Sequence, residues 1–145
     1  MTNYTRHIGV VVHNLNDAIY FWEKLIGFDL HVDAVEKSPY IDELIGISKP
    51  NLRTVKFKDA HDFVIELLEF SNYNSGEKWN GDLKTTGLTH IALTVENIEI
   101  IVDRLREKGY ESLSQIINSP DGKVKVVFVK GPEGLMIELV EELNL

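Results

Sequence analysis

The sequence predicts an α+β fold made of two copies of one module, in which a strand and a helix are followed by three strands. The first observation is a strand that begins with histidine: residues 7–12 (HIGVVV) return 83 positions later as residues 90–95 (HIALTV). The second is a strand centred on glutamate, since residues 64–69 (VIELLE) return 72 positions later as residues 136–141 (MIELVE). The third is the helical spacing of apolar residues that follows each histidine strand. Each module therefore places one histidine and one glutamate within apolar strands.

The first module begins with the strand at residues 7–12, a short apolar run rich in β-branched residues. Asn14 is a predicted helix N-cap, and Asp17 adds negative charge to the first turn. Gly27 ends this helix, whose apolar stripe consists of Ala18, Phe21, Trp22 and Leu25. The alternation of residues 28–35 predicts the second strand.

The centre of the first module is less regular. Residues 40–47 predict a short helix that Gly46 ends. Residues 52–58 and 63–70 predict the third and fourth strands, which a polar turn joins. The first module therefore ends at about residue 70.

The second module repeats this order. Its predicted elements are a strand, a helix, a weak strand and two further strands, at residues 90–95, 98–108, 110–117, 124–130 and 135–140. A chain of 145 residues is one domain by length. Within it we expect module one at about residues 5–70, a linker at about 71–86 and module two at about 87–142.

Composition excludes several classes of function. The net charge of −8 argues against nucleic acid as a partner, because phosphate binding needs a basic surface. The chain has no cysteine, so it has neither disulfides nor thiolate chemistry. No apolar run approaches the roughly 18 residues of a membrane span, and no apolar signal segment begins the sequence. We therefore expect a cytoplasmic protein that binds neither membranes nor nucleic acid.

Four residues are candidate metal ligands: His7, Glu66, His90 and Glu138. Each glutamate lies between apolar neighbours, where an ionised carboxylate is costly to bury unless it is paired or coordinates a metal. Two imidazoles and two carboxylates suit a divalent first-row metal. Each residue alone also has a simpler interpretation, as a hydrogen-bonded histidine or as a glutamate that alternation turns to solvent. The recurrence of the same pair at matching places in a repeat favours the metal site.

These residues resemble the vicinal oxygen chelate superfamily, which includes glyoxalases, bleomycin-resistance proteins and extradiol dioxygenases. The resemblance covers essentially the whole chain, and it also rests on residues 21–28 (FWEKLIGF) and 131–134 (GPEG). It implies two βαβββ modules that form a cupped mixed sheet with the helices outside, and a protein that forms a homodimer. It further implies one divalent ion per site (Ni, Co, Zn, Mn or Fe) held at the positions of His7, Glu66, His90 and Glu138.

Two branches of this superfamily are most similar to the chain. Glyoxalase I usually has Arg where this chain has Val11 and Asn where it has Phe70, which argues against a glutathione adduct as the substrate. Methylmalonyl-CoA epimerases are similar in length and in residues 87–91 (GLTHI), but they commonly have Gln at the position of Glu66. They also use an extra acid between the second and third strands as a base, and Glu43 lies in about the right place.

Both branches imply the removal of a proton next to a carbonyl, with the metal stabilising the resulting enediolate. The hypothesis is a metal-dependent isomerase, epimerase or lyase that acts on a small carbonyl or acyl-thioester compound. Glu138 is expected to be both a ligand and the base, and Glu66 or Glu43 the second acid–base group. Two alternatives remain open: a non-catalytic small-molecule binding protein of the bleomycin-resistance type, and an Fe(II) extradiol-type dioxygenase.

The other histidines and the large aromatic residues are interpreted as structural. His13 is expected at the surface, His31 on the polar face of the second strand, and His61 in a turn. Core or interface positions are expected, rather than a substrate-binding box, for Phe21, Trp22, Phe57 and Trp79.

Overall fold

The computed structural model describes residues 2–73 and 82–144. The chain divides into two compact units, Met1–Glu77 and Lys78–Leu145. Trp79 and the middle of the expected linker lie outside the described residues. In the described parts of the chain, no helix has both the length and the apolar character that crossing a membrane requires.

The first unit contains a four-stranded mixed sheet and two short α-helices. Its strands are β1 (His7–Val11), β2 (Asp29–Val35), β3 (Leu52–Lys58) and β4 (Val64–Phe70), and its helices are α1 (Leu15–Tyr20) and α2 (Tyr40–Ile45). The strand order is β1-β4-β3-β2, with β1 parallel to β4 and the other pairs antiparallel. After α1 the chain continues as a π-helical segment, Phe21–Ile26, which ends at the left-handed Gly27 (φ 91°). The predicted end of this helix is therefore confirmed.

The second unit repeats the order of one strand, one helix and three strands, and its described residues contain no counterpart of α2. Its elements are β5 (His90–Thr94), α3 (Ile98–Glu107), β6 (Ile117–Asn118), β7 (Val124–Lys130) and β8 (Met136–Glu142). Its strand order, β5-β8-β7-β6, has the same pattern as that of the first unit. The register also repeats: His7 lies opposite Val64, and His90 lies opposite Met136. The α+β class and the internal repeat are therefore as predicted, with one four-stranded mixed sheet in each unit.

The weak strand expected at residues 110–117 is mostly absent. Within this part of the second unit the structure has an isolated bridge between Ser112 and Val129, and the two-residue strand β6. The segment has no regular apolar alternation, and Glu111, Leu113 and Gln115 are all exposed. Since it has no apolar face to bury against the sheet, it does not gain the free energy that would offset ordering a longer strand.

Much of the core of the first unit lies between α1, with its π-helical continuation, and the sheet face that carries Ile65 and Leu67. The predicted apolar stripe of the first helix is confirmed, because Ala18, Phe21, Trp22 and Leu25 are all buried. The ring of Trp22 is 5.4 Å from the ring of Phe21 in an edge-on contact, and 5.4 Å from that of Phe28. Phe57 of β3 is also fully buried. The interpretation of Phe21, Trp22 and Phe57 as core residues is therefore correct.

In each unit a glutamate near the end of the last strand caps the helix that follows the first strand. The backbone N–H of Leu15 donates to Glu69 Oε2 at 3.1 Å, and that of Ile98 donates to Glu141 Oε2 at 2.8 Å. Both carboxylates therefore bind a helix N-terminus, where unpaired N–H groups and the helix dipole favour negative charge. In α1 the side chain of Asn14 also accepts from the N–H of Asp17 at 3.1 Å, which confirms the predicted N-cap.

Replacing Glu141 by alanine is expected to lower the free energy of unfolding by about 1–2 kcal/mol, because α3 loses its cap. Glu69→Ala is expected to cost less, since Asn14 still caps α1. The measurement is urea unfolding followed by circular dichroism. Glu142→Ala is the control on the same strand, because this side chain is exposed. Equal stability of the Glu141 and Glu142 variants would contradict the capping role.

Candidate functional site

The first predicted histidine–glutamate pair lies on the sheet face opposite to that of Glu69, which caps α1. His7 on β1 and Glu66 on the neighbouring β4 point to the same face, because side chains alternate along each strand. The Nε2 atom of His7 is 3.8 Å from Oε1 of Glu66. The Glu66 side chain is only 14% exposed, whereas that of His7 is 34% exposed. The pair therefore combines a largely buried carboxylate with an accessible imidazole.

The second pair has the same arrangement in the second unit. Nε2 of His90 is 3.3 Å from Oε2 of Glu138, whose side chain is 26% exposed. The other ring nitrogen, Nδ1, is 2.9 Å from the hydroxyl of Thr89. A hydrogen bond at one imidazole nitrogen orients the ring and leaves the other nitrogen for the site. Thr89 is therefore a positioning residue for His90 that the sequence patterns did not single out.

The two pairs differ in the residue that lies across from the glutamate. Lys56 on β3 is the cross-strand partner of Glu66, and its Nζ is 3.4 Å from Oε2 of that carboxylate. Phe128 on β7 is the partner of Glu138, and its ring contacts His90 edge-on at 5.1 Å. Glu66 therefore has a cationic neighbour where Glu138 has an aromatic one. Two units that are alike in backbone thus present two different chemical environments.

The donor types in each pair suit a divalent first-row metal, since imidazole nitrogen and carboxylate oxygen are both common ligands of such ions. Each pair by itself offers two protein ligands, whereas protein sites for these ions commonly use three or four. Among residues 2–73 and 82–144, no three or more His, Cys, Asp or Glu side chains are grouped so that they could hold a metal ion. Each unit therefore contains two of the four predicted metal ligands.

Glu43, the alternative acid–base residue, lies on α2 with its side chain exposed. Pro39 precedes this helix, and Gly46 ends it in the left-handed conformation (φ 70°). The expected short helix is therefore present, and Glu43 lies on its solvent-exposed side. His13 is also exposed, as expected.

A cavity of about 530 Å³ opens beside the first pair, entirely within the first unit. Three of the chain's five histidines line it: His7, His31 and His61. His31 lies at a register shift in β2, where Leu30 pairs with Phe57 and Val32 with Lys56, so that one extra residue interrupts the alternation. Simple alternation therefore could not predict that His31 reaches this cavity, and the turn containing His61 carried no signal for it.

The chain has relatives among curated proteins and among solved structures. It is 32% identical over 84 residues to a probable lactoylglutathione lyase from Synechocystis, a match that spans 58% of this chain and 60% of that protein's length. A glyoxalase family protein from Bacillus cereus has the same fold, with a TM-score of 0.92 at 23% identity over 99% of this chain and 97% of that one. A fosfomycin resistance protein from Listeria monocytogenes, solved with Mn(II) and sulfate, has a TM-score of 0.66 at 16% identity over 99% and 96% of the two chains.

The family itself is shown by a match to most of the sequence. Residues 6–128 match the family model described as the glyoxalase, bleomycin resistance protein and dioxygenase superfamily. This range includes both histidines of the two pairs and the first of their glutamates. The chain belongs to the glyoxalase/bleomycin resistance protein/dioxygenase superfamily.

Proposed function

We propose that the protein is a divalent-metal-dependent isomerase, epimerase or lyase that removes a proton next to a carbonyl group. The observation that carries this proposal is the repeated pair, an imidazole Nε2 within 3.8 Å of a carboxylate in one unit and within 3.3 Å in the other. His7, Glu66, His90 and Glu138 are the proposed ligands. When bound, the metal would supply a positive charge that stabilises the negative charge developing on the substrate's carbonyl oxygen.

Glu138 is the proposed base. Its cross-strand neighbour is Phe128, an aromatic residue, so that His90 is the nearby group with which it pairs. Glu66 is the proposed second acid–base group, because it is largely buried on the corresponding strand and lies beside His7. Lys56, in contact with Glu66, offers a second proton donor at that position. The exposed position of Glu43 on α2 makes it the weaker candidate.

The proposed substrate is a small carbonyl or acyl-thioester compound rather than a glutathione adduct. Val11 and Phe70 stand where glyoxalase I usually has Arg and Asn, and both lie on strands of the first sheet beside the His7–Glu66 pair. Val11 lies on the same strand face as His7 and is 57% exposed. An apolar side chain there cannot replace the charged contact that an arginine would make.

The test measures both the metal content of the protein and the exchange of substrate protons with solvent. Protein purified without added metal is analysed for Ni, Co, Zn, Mn and Fe, and then incubated in D₂O with a panel of 2-hydroxy-ketones and branched acyl thioesters. We expect deuterium at the carbon next to the carbonyl, loss of this exchange after chelation, and its recovery with one of these ions. Metal at 100 times its dissociation constant should also stabilise the fold by about 2.7 kcal/mol.

Two other results would overturn the proposal in favour of its alternatives. Absence of bound metal, of metal-induced stabilisation and of exchange with every compound would favour a non-catalytic binding protein of the bleomycin-resistance type. Oxygen uptake with catechols in the presence of Fe(II), without deuterium exchange, would favour an extradiol-type dioxygenase.

A further inference from the structure

We propose that the cavity beside His7 binds an anionic group of the substrate, a carboxylate or a phosphate, and that Arg6, Lys56 and Lys58 hold it. This inference rests on the proposed function, because it specifies that the substrate of the same site carries an anionic group. Half of the twelve residues that line the cavity are basic: Arg6, His7, His31, Lys56, Lys58 and His61. The remaining lining residues include a single acid, Asp62.

The local charge differs in sign from that of the whole chain. The formal net charge of the protein is −8, yet Arg6, Lys56 and Lys58 bring three permanent positive charges to one cavity. Asp62 is 3.4 Å from Lys58, but its own side chain is 85% exposed at the rim. Lys56 is likewise 3.4 Å from Glu66, so that three permanent cations, Arg6, Lys56 and Lys58, face two carboxylates. A partly enclosed cavity with an excess of one sign of charge concentrates ligands of the opposite sign. This cavity is therefore suited to an anion, although the net charge of the whole protein is negative.

The cavity is also connected to the proposed reaction site. His7 lines the cavity, and its Nε2 is 3.8 Å from Glu66. Lys56 lines the cavity as well, and its Nζ is 3.4 Å from the other oxygen of the same carboxylate. An anionic group bound by the lysines would therefore lie within one small molecule's length of the His7–Glu66 pair. The rest of the substrate would be positioned beside the groups that act on it.

The volume fits a small metabolite better than an isolated ion. A cavity of about 530 Å³ falls within the range of roughly 300–1,000 Å³ that is usual for small-molecule sites. Tyr4, Phe63, Val32 and Val64 supply apolar and aromatic lining beside the basic residues. The site therefore combines charge for an anionic end with apolar surface for a carbon skeleton.

The test measures anion binding directly, on metal-free protein, so that it does not depend on turnover. Inorganic phosphate and malonate are titrated separately into the protein at low ionic strength, and binding is followed by NMR chemical shifts. Arg6→Gln and Lys58→Met are the test variants. Among the described residues, the lysine that forms an ion pair with Glu66 is Lys56, whereas Lys58 pairs with Asp62. Lys130→Met is the matched control: Lys130 lies opposite Met136 in the second unit as Lys58 lies opposite Val64 in the first.

We expect at least one of the two anions to bind, with the tighter one identifying the group as phosphate or carboxylate. Each test variant should weaken that binding about tenfold or more, and Lys130→Met should change it less than about twofold. Failure of both anions to bind, or equal binding by the Lys58 and Lys130 variants, would overturn the inference. Deuterium exchange without anion binding would refute this inference alone, whereas anion binding without metal or exchange would leave it standing and refute the proposed function.

Discussion

A Glu138→Gln variant is expected to lose roughly 10²- to 10⁴-fold in turnover while remaining folded. Glutamine keeps the size and planar shape of the side chain, but it carries no negative charge and cannot accept a proton at working pH. The change removes the carboxylate that lies 3.3 Å from Nε2 of His90. The measurement is the rate of deuterium exchange on the substrate identified from the panel, with thermal unfolding recorded beside it.

Three further variants make this result specific. Glu142→Gln changes a glutamate that is exposed on the same strand, and we expect it to keep the rate of the unmodified protein. Glu66→Gln should lose most of the turnover, whereas Glu43→Gln should lose little, because Glu43 is exposed on α2. The opposite ranking of Glu66 and Glu43 would transfer the second acid–base role to α2. A folded Glu138→Gln protein with full activity would rule out Glu138 as the base.

Replacing Trp22 by alanine is expected to lower the free energy of unfolding by about 3–5 kcal/mol. The indole is 1% exposed and contacts the rings of Phe21 and Phe28, so that its removal leaves a cavity that the neighbouring rings only partly fill. Such a loss is a large part of the roughly 5–15 kcal/mol that stabilises a typical domain. Urea unfolding at constant temperature measures it, provided that the slope of the transition is unchanged.

Leu44→Ala is the matched control, because Leu44 is a large apolar residue that is 63% exposed on α2. We expect it to change stability by less than about 0.5 kcal/mol. The pair of variants distinguishes a core residue from a substrate-binding one. If Trp22→Ala kept the stability of the unmodified protein but lost ligand binding, the interpretation of Trp22 as core would be wrong.

Much of the fold could be predicted because its signals are local. The stripe at Ala18, Phe21, Trp22 and Leu25 is predicted by a period of 3.6 residues and is buried, although the structure is π-helical from Phe21. The end of the helix depends on a glycine that adopts positive φ. The predicted bounds of strand β3 match the structure, since polar and apolar residues alternate over residues 54–58. The strand predicted at residues 110–117 is mostly absent, because its apolar alternation is weak and most of its residues are exposed.

The repeated glutamate strands show that a sequence repeat does not by itself assign a role to each glutamate. Each copy contains two glutamates, three residues apart, and the sequence singled out the first of them, Glu66 and Glu138. The second, Glu69 and Glu141, lies on the opposite face of its strand and caps a helix. An odd spacing along a strand turns two like residues to opposite faces. The repeat therefore encodes one glutamate for the candidate site and another for the fold.

The sequence by itself determined the α+β class, the internal repeat, the buried stripe of the first helix and the identity of the two histidine–glutamate pairs. Each of these depends on spacing along the chain, which the sequence states directly. Only the tertiary structure decided that Lys56 contacts Glu66 while Phe128 lies beside His90, and that His31 and His61 share a cavity with His7. Those neighbours depend on strand register and on the irregularity in β2, and a shift of one residue would turn every side chain of a strand to the other face.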